Sequence, residues 1–490
     1  MIGVHKKNLI CIFAVFDEEP VIDILNKIPK SLANFEHEIL VLIDGSRDLY
    51  FQKVMKTIEA LKLFNAQVLF ASEKLGYGGN QKLAFYYAIK HEFETVISLD
   101  GSGQYPPENL EKFLFGMENS EVQAFVGSRF LEKGNGRQHK MSFYRFLGNK
   151  TVTFLQNLIL DLNFSEFHSG FRAFRVKALE KTPFPFNSNG RKFDIEILIQ
   201  FKLIGFTIKE LPVSYIEGDK KGVMECFRYG MDALKLSLKY RLHKMALFYE
   251  RKFDVSTGFK KYTLKKGYPS SHQFALDEVK NNSRVLDIGC GNSLIGEELT
   301  SLGCCVEAID CENPEGLSRI NKFTNMNLND ENINIPIHNF DYVLLLDVLE
   351  HLEKPENFIL NLRIHACGAS PKIIISVPNI GFFAMRLSLF FGWFNYGVRG
   401  ILDMGHRRLF TFNTIKKMLK DAGFEILICK GVPGPYPEAI GYNWLSRSLL
   451  CVNRWLVKIF PMLFSYQIFM VVVPLPTLDF LLERSRMAEK

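Results

Sequence analysis

One pattern constrains this chain more than any other. A short, wholly apolar, β-rich run stops at a polar or charged residue, and an amphipathic helical stretch follows. "LICIFAVF", "EILVLID", "AQVLFAS", "TVISLD" and "QAFVGSR" read as strands. "EPVIDILNKIPKSL", "LYFQKVMKTIEALKLF" and "GGNQKLAFYYAIKHEF" read as the helices between them. Strands that are apolar at nearly every position, rather than every second one, are covered on both faces. With helices between them they imply a mostly parallel sheet in βαβ order. The pattern fills residues 8 to 217, lapses, and restarts at Arg284 with "RVLDIGCG", "CCVEAID", "FDYVLLLD", "KIIISVPN", "FEILICKG" and "SYQIFMVVVP". A chain of 490 residues exceeds one ordinary domain. Two α/β domains are its simplest division.

The lapse is occupied by "MECFRYGMDALKLSLKYRLHKMALFYERKF", a long basic amphipathic helix with no strand after it. It carries Arg228, Lys235, Lys239, Arg241, Lys244, Arg251 and Lys252 among apolar residues. The expected division is therefore a domain at 1–217, a basic helical linker at 218–270 and a second domain at 271–490. A solvated bridging face is the plain use of those charges. Docking on an anionic bilayer is the sharper one.

Composition excludes several classes. A hydrophobic share of 47% with 23% charged residues is that of a globular protein. A net charge of +7 over this length suits phosphorylated substrates or a membrane surface and does not point to nucleic acid. The nine cysteines are odd in number and lack zinc spacing, as expected of reduced thiols in a cytosolic protein. "MIGVHKKNLICIFAVFDEEP" reads as a first strand rather than a signal peptide. No stretch supplies the roughly 20 uninterrupted apolar residues of a spanning helix. "GFFAMRLSLFFGWFNY" is broken by Arg386, and "FSYQIFMVVVPLP" is short. A cytoplasmic protein is expected, with peripheral contact at the inner face of a membrane.

In the second series, "VLDIGCGNSLIGEEL" is a strand, a glycine-rich turn and a helix start. Gly289 and Gly291 permit a tight turn and close approach of a ligand. Asp310 ends the next strand, where a carboxylate can take two ribose hydroxyls. A dinucleotide fingerprint would want glycine at position 294, where Leu294 stands, so the turn suits S-adenosylmethionine better than NAD. Together with "FDYVLLLDVLEHLEKPENFI", "IIISVPN" and "GHRRLFTFNTIKKMLKDAGFEI", it resembles the class I SAM-dependent methyltransferases over residues 270 to 475. The resemblance implies a Rossmann-like domain in which Asp287, Gly289 and Gly291 hold the methionine end of SAM. Asp310 would hold the ribose, Asn327 and Leu328 would flank the adenine, and Asp347 would face the reaction centre. His351 is the candidate base and His406 the alternative. The apolar stretch Phe382 to Tyr396 reads first as a buried helix, and otherwise as an acceptor lid or a surface touching a lipid-linked substrate.

In the first series, strand ends carry Asp17 and Glu18, Asp44, Asp100 and Arg129. Acids and an arginine gathered at the carboxyl edge of a parallel sheet suit a metal with a polyphosphate. "FAVFDEEPVIDILNKI", "VLIDGSRD", "LGYGGNQKLAFYYAI", "SLDGSGQYPPE", "VGSRF", "FHSGFRAFR" and "FDIEILIQFKLIGFTIKELPVSY" follow one another. This ordered set resembles the family 2 glycosyltransferases of the GT-A fold, polyprenyl-phosphate-sugar synthases in particular, over residues 8 to 217. The resemblance implies a nucleotide-diphospho-sugar transferase with Asp17, Glu18, Asp44, Arg129 and Arg172 at the donor and Asp100 on Mg²⁺ or Mn²⁺. Glu166 and His168 would line the phosphate region, Asp194 and Glu196 the acceptor, and His168 and Asp194 are the catalytic candidates. Three positions depart from the family: Asp17 replaces the usual Asn, Ile43 replaces the first Asp of Asp-Asp-Gly-Ser, and Ser102 replaces the second Asp of Asp-x-Asp.

The expectation is thus an α/β protein of two domains, GT-A and class I methyltransferase. It would transfer sugar from a nucleotide donor to a glycan or polyprenyl-linked acceptor, and methyl from SAM, in bacterial polysaccharide or glycolipid biosynthesis. The alternative is a methyltransferase carrying a non-catalytic nucleotide- or glycan-binding GT-A module, which Ile43 and Ser102 favour.

Overall fold

The computed structural model describes residues 8–14, 19–44, 48–71, 73–131, 142–216, 223–244, 248–255, 264–312, 319–330, 333–397, 399–437, 441 and 443–482. The chain divides into two compact units, residues 1–243 with 250–258 and residues 244–249 with 259–490.

The first unit is built on a seven-stranded sheet in the order β3-β2-β1-β4-β6-β5-β7. Its strands are β1 (Asn8–Ala14), β2 (His37–Asp44), β3 (Ala66–Ala71), β4 (Thr95–Asp100), β5 (Ala124–Ser128), β6 (Arg172–Arg175) and β7 (Ile208–Pro212). All pairings are parallel except those of β6, which runs antiparallel to β4 and β5. The central strand shows why its sequence is apolar throughout. Ile10 and Ile12 enter one core, and Leu9, Cys11 and Phe13 enter the core on the opposite face. Helices cover both faces, as a parallel sheet requires.

The basic helix Val223–Lys244 belongs to this first unit. Ala233, Leu236 and Tyr240 pack with Phe253, Val126, Leu160 and Phe167 in one apolar cluster. Its outer side keeps Arg228, Lys235 and Lys239 exposed, together with the large apolar Met224, Phe227 and Leu238.

The second unit repeats the architecture in the order β10-β9-β8-β11-β12-β14-β13. Its strands are β8 (Arg284–Ile288), β9 (Cys305–Asp310), β10 (Lys322–Asn325), β11 (Tyr342–Leu346), β12 (Lys372–Pro378), β13 (Phe424–Val432) and β14 (Gln467–Pro474). Only β14 is antiparallel to its neighbours. Val343 and Leu345 of β11 face one core and Tyr342 and Leu344 the other.

Three strands have no counterpart in the apolar-run reading: β6, β7 and β10. Each is four or five residues long and rich in polar or charged side chains, "RAFR", "IKELP" and "KFTN". β7 and β10 are sheet edges, where short polar strands are the rule. The stretch after β12 also departs from its first reading as a buried helix. Helix Phe383–Phe390 buries Met385, while Phe390 is 82% and Phe391 61% exposed. All nine cysteines are free thiols. Among the described residues no helix is long and apolar enough to cross a membrane.

Candidate functional sites

The first site lies at the carboxyl ends of β2 and β4. Asp100 ends β4 beside Phe13 of β1. The following Gly101 donates its N–H to the Phe13 carbonyl at 2.9 Å. A Cβ there would sit 2.2 Å from that oxygen, so only glycine lets β4 turn at this point. Ser102 does not add a carboxylate, and its backbone N–H donates to Asp100 Oδ1 at 3.1 Å. Asp100 is thus the one carboxylate at this end of β4. Mg²⁺ sites commonly combine one or two carboxylates with substrate phosphates, so this donor set fits a metal that arrives with a nucleotide diphosphate. Asp17 and Glu18 lie outside the described residues.

Asp44, at the end of β2, accepts the backbone N–H of Leu75 at 2.5 Å and of Gly76 at 2.8 Å. It caps helix Gly76–Lys90 at its glycine-rich start. Gly78 donates to the Asn189 carbonyl at 2.7 Å. The Gly76 and Gly78 N–H groups at the start of this helix are therefore taken up by the protein itself.

Arg129 follows β5 and is locked to the buried Glu166. Its backbone N–H reaches Glu166 Oε2 at 2.9 Å and its Nε reaches Oε1 at 2.8 Å, while Nη2 also donates to Oε1. The guanidinium packs 4.7 Å from the Tyr215 ring centroid. Burial pushes the Glu166 carboxyl up, but the charge and hydrogen bonds of Arg129 outweigh it and leave it below the usual range.

His168, two residues on, is half-buried and reaches the Tyr229 hydroxyl through Nδ1 at 3.2 Å. Burial pushes its pKa down to about 4, with the positive charge of Arg129 and Arg172 adding to that and Glu166 opposing it. It is a neutral imidazole at pH 7, able to accept a proton. Its partner Tyr229 sits on the helix read as a linker, and no local signal connects the two in sequence.

Arg172 is placed differently from its expected role at the donor. It is wholly buried, and it donates to the carbonyls of Ser169, Phe167 and Asp194, with the Asp194 carboxylate 3.8 Å from Nε. It positions the 167–170 turn and Asp194 and has no exposed face for a ligand. Asp194 also accepts from Gln81 Nε2 at 3.0 Å. Burial holds its carboxyl above the ordinary value, against the opposing Arg172 charge. Glu196 accepts from Ser188 and from Lys252 Nζ at 2.9 Å, as a structural ion pair. A Cβ on Gly170 would lie 2.9 Å from the Tyr77 hydroxyl and 3.5 Å from Asp100 Cβ, which places the 166–170 turn against the end of β4.

The second site opens after β8. Gly289 has φ +71° and Gly291 φ +51°, left-handed conformations that favour glycine. A Cβ on Gly289 would lie 2.5 Å from Val348 Cγ2, whereas one on Gly291 would meet nothing within 4 Å. The turn therefore packs at one glycine and stays open at the other. Asp310 grips it, accepting the Gly291 N–H at 2.8 Å through Oδ2 and the Glu312 N–H at 3.1 Å through Oδ1. Asp287, expected to hold this loop, is buried with Oδ2 unpartnered. Burial and the nearby Asp310 push its pKa up to about 7. A buried Asp287 beside the half-buried Asp310 fits a ligand that brings positive charge, as the ammonium and sulfonium of SAM would. Asn327 is exposed and closes a turn with Asn329 and Asp330, and Leu328 is half-buried against the core.

After β11, Asp347 adopts φ +58°, a strained conformation for a non-glycine residue. Its carboxylate accepts from Ser376 Oγ at 2.6 Å and from Gln467 Nε2 at 2.8 Å. Gln467 lies 120 residues downstream, on the antiparallel β14, and nothing near Asp347 in sequence foretells it. Beside it, Glu350 is buried with both carboxylate oxygens unpartnered. Burial, with the charge of Asp347, raises its carboxyl well above the ordinary value. The His351 and His406 rings stand edge to face, centroids 4.8 Å apart. The two alternative base candidates are thus one cluster. Burial pushes the His406 pKa below its ordinary value.

Comparison with known proteins finds a domain family for each unit. Residues 11–182 match the model for glycosyl transferase family 2, and residues 261–428 match a methyltransferase domain. An uncharacterized protein of Methanocaldococcus jannaschii is 25% identical over 217 residues, covering 44% of this chain and 83% of that one. The polyprenol monophosphomannose synthase of Mycolicibacterium smegmatis is 25% identical over 183 residues, covering 36% of this chain and 66% of that one. A crystal structure of glucosyl-3-phosphoglycerate synthase from Mycobacterium tuberculosis with phosphoglyceric acid aligns with TM-score 0.36 and 16% identity, over 48% of this chain and 80% of that one. The chain is a transferase that joins a family 2 glycosyltransferase domain to a methyltransferase domain.

Proposed function

We propose that the chain is a bifunctional transferase. Its first unit moves a sugar from a nucleotide donor to a polyprenyl-phosphate or other lipid-linked acceptor, and its second methylates the same class of glycan or glycolipid. The observation that carries this reading is the recurrence, in each unit, of acids and a glycine turn at the carboxyl edge of a parallel sheet. The likeness to a polyprenol monophosphomannose synthase supports the acceptor class.

In the first unit, Asp100 would hold Mg²⁺ or Mn²⁺, which neutralises the leaving diphosphate. Asp44 keeps the glycine turn in place, and Arg129, fixed by Glu166, presents positive charge beside the site. His168 is neutral and can take a proton from a hydroxyl acceptor; a phosphate acceptor would need no base. In the second unit, SAM would supply the activated methyl group, with Asp287 facing its positive charge. Asp310 shapes the turn, and Asp347 is held by Ser376 and Gln467.

The exposed apolar residues support peripheral attachment to a membrane's inner face. Phe143, Leu147, Phe154 and Leu158 stand out on helix Phe143–Leu160, and Met224 and Phe227 on the basic helix. Aromatic side chains interleaved with lysine and arginine suit an anionic bilayer, where a lipid-linked acceptor resides. Flotation of the full chain with anionic vesicles, lost in Phe227→Asp, tests this. Equal recovery of both proteins in the vesicle fraction would count against it.

A second reading, a methyltransferase with a non-catalytic donor-binding module, is favoured by Ser102 standing where the family has a second carboxylate. Incubation with a panel of nucleotide sugars and polyprenyl phosphate, followed by mass spectrometry, separates the two. A hexosyl mass increment supports the first reading. Methylation of an added glycan without any sugar transfer supports the second.

A further inference from the structure

Among the described residues, Glu350, His351 and His406 form the one group whose potential metal-ligand atoms converge, all within 4.8 Å of one another. We propose that they bind a divalent first-row cation, Zn²⁺, Mn²⁺ or Fe²⁺, through one carboxylate and two imidazoles. This site belongs to the second unit and is separate from Asp100 of the first.

The geometry carries the proposal in three ways. First, His351 and His406 each direct Nδ1 at a backbone carbonyl, Gly405 at 3.0 Å and Ile401 at 2.9 Å. A carbonyl only accepts, so Nδ1 carries the hydrogen and the lone pair is on Nε2. Ring nitrogens anchored this way are the usual supporting shell of a metal-bound histidine. Second, both Glu350 oxygens are buried and unpartnered. A carboxyl group buried without a hydrogen-bond partner is costly, and a coordinated cation would supply one. Third, the segments bearing these ligands are fastened together. The Glu350 carbonyl accepts the N–H of Arg407 at 2.7 Å and of Arg408 at 3.0 Å, which fixes the His406 loop against the Glu350 turn. Arg408 adds an ion pair to Glu356 at 2.8 Å. A Cβ at Gly405 would lie 3.2 Å from His351 Nδ1, so the loop presses on that ring.

The spacing suits such an ion after a small adjustment. Ligands about 2.1 Å from a metal stand at most about 4.2 Å apart. Closing 4.8 Å to that value takes side-chain rotation of a few tenths of an ångström per residue. Two histidines and one carboxylate leave further coordination positions open, as catalytic rather than structural metal sites do. His351 is exposed, so an acceptor oxygen can approach the open side. On the methyltransferase reading, on which this last step rests, the cation would orient that oxygen and favour its ionised form.

The test is Zn²⁺ and Mn²⁺ titration of the full chain by calorimetry, without nucleotide and in an Asp100→Ala background that removes the first-unit site. Close to one ion per chain is expected. His406→Ala and Glu350→Gln are each expected to weaken binding more than tenfold while SAM affinity and melting temperature stay near those of the parent. His406→Ala, in a half-buried loop, remains informative if Glu350→Gln fails to fold. Absence of binding, or binding unchanged in His406→Ala, overturns the site. SAM affinity, measured separately, reports on the methyltransferase reading independently of the metal.

Discussion

The two units share an architecture and differ in how their buried carboxylates are satisfied. In the first, Asp44, Glu166 and Glu196 are each held by backbone N–H groups, arginine or lysine. In the second, Asp287 Oδ2 and both Glu350 oxygens have no partner, and no buried carboxylate oxygen of the first unit is in that state among the described residues. An acid already paired is scaffold, and its removal costs stability. A buried acid left unpaired can gain from a positively charged ligand. On the proposed reading, the first unit's charges surround an anionic donor. The second unit's unpartnered acids would then serve a cationic cofactor and, as proposed, a metal ion.

The sharpest way to break this contrast is Arg129→Met. It leaves the buried Glu166 without a counter-charge, held only by the residue-129 backbone N–H and Asn149, which should cost about 3–5 kcal/mol. Urea unfolding should show the first unit's transition shifted and the second's unmoved. A shift below about 1 kcal/mol would mean that the pair is not scaffold. Next, Asp100→Ala should lower sugar transfer by about 100-fold, through loss of charge stabilisation at the leaving diphosphate. Methyl transfer should stay unchanged.

Asp287 gives the pH test. Its folded pKa near 7 is above the ordinary carboxylate value, so in the ligand-free chain it is half ionised at about that pH. As pH rises from about 4 to about 7 the unfolded chain loses this proton first, so the group's contribution to stability falls over that window. SAM is expected to prefer the ionised form, so its affinity should rise by about tenfold between pH 6 and pH 8. Asp287→Asn should flatten that dependence, and a flat profile in the parent protein would contradict the account. The smallest expected effect is Tyr229→Phe. Losing the hydroxyl beside His168 should cost about 1 kcal/mol, a few-fold in sugar transfer with little change in stability. A loss as large as that of Asp100→Ala would promote Tyr229 from neighbour to participant.

Strands β1 to β5, β8, β9 and β11 to β14 were legible because each carries a nearly unbroken apolar run. The edge strands β7 and β10 and the four-residue β6 were not, since half-exposed or very short strands carry no such run. Of the sites, Asp100, Gly289, Gly291 and Asp310 stand at strand ends and turns, where position alone suggests a role. Arg172 resembled a phosphate ligand in sequence, yet three backbone carbonyls consume its donors, a fact set by the packing of the 167–170 turn. Gln467 and Tyr229 act across 120 and 61 residues, and tertiary structure alone brings them to Asp347 and His168. The exposed face of Phe383–Phe390 was misread because an apolar stretch gives the same sequence signal in a core and on an exposed surface.

The central claim is that the first unit remains a working donor site with the single β4 carboxylate. Calorimetry of the full chain with UDP- and GDP-sugars, with and without Mn²⁺, tests it directly. The account predicts binding of at least one donor that strengthens with Mn²⁺ and loses that gain in Asp100→Ala. No affinity for any of these nucleotide sugars, with or without the metal, would contradict it.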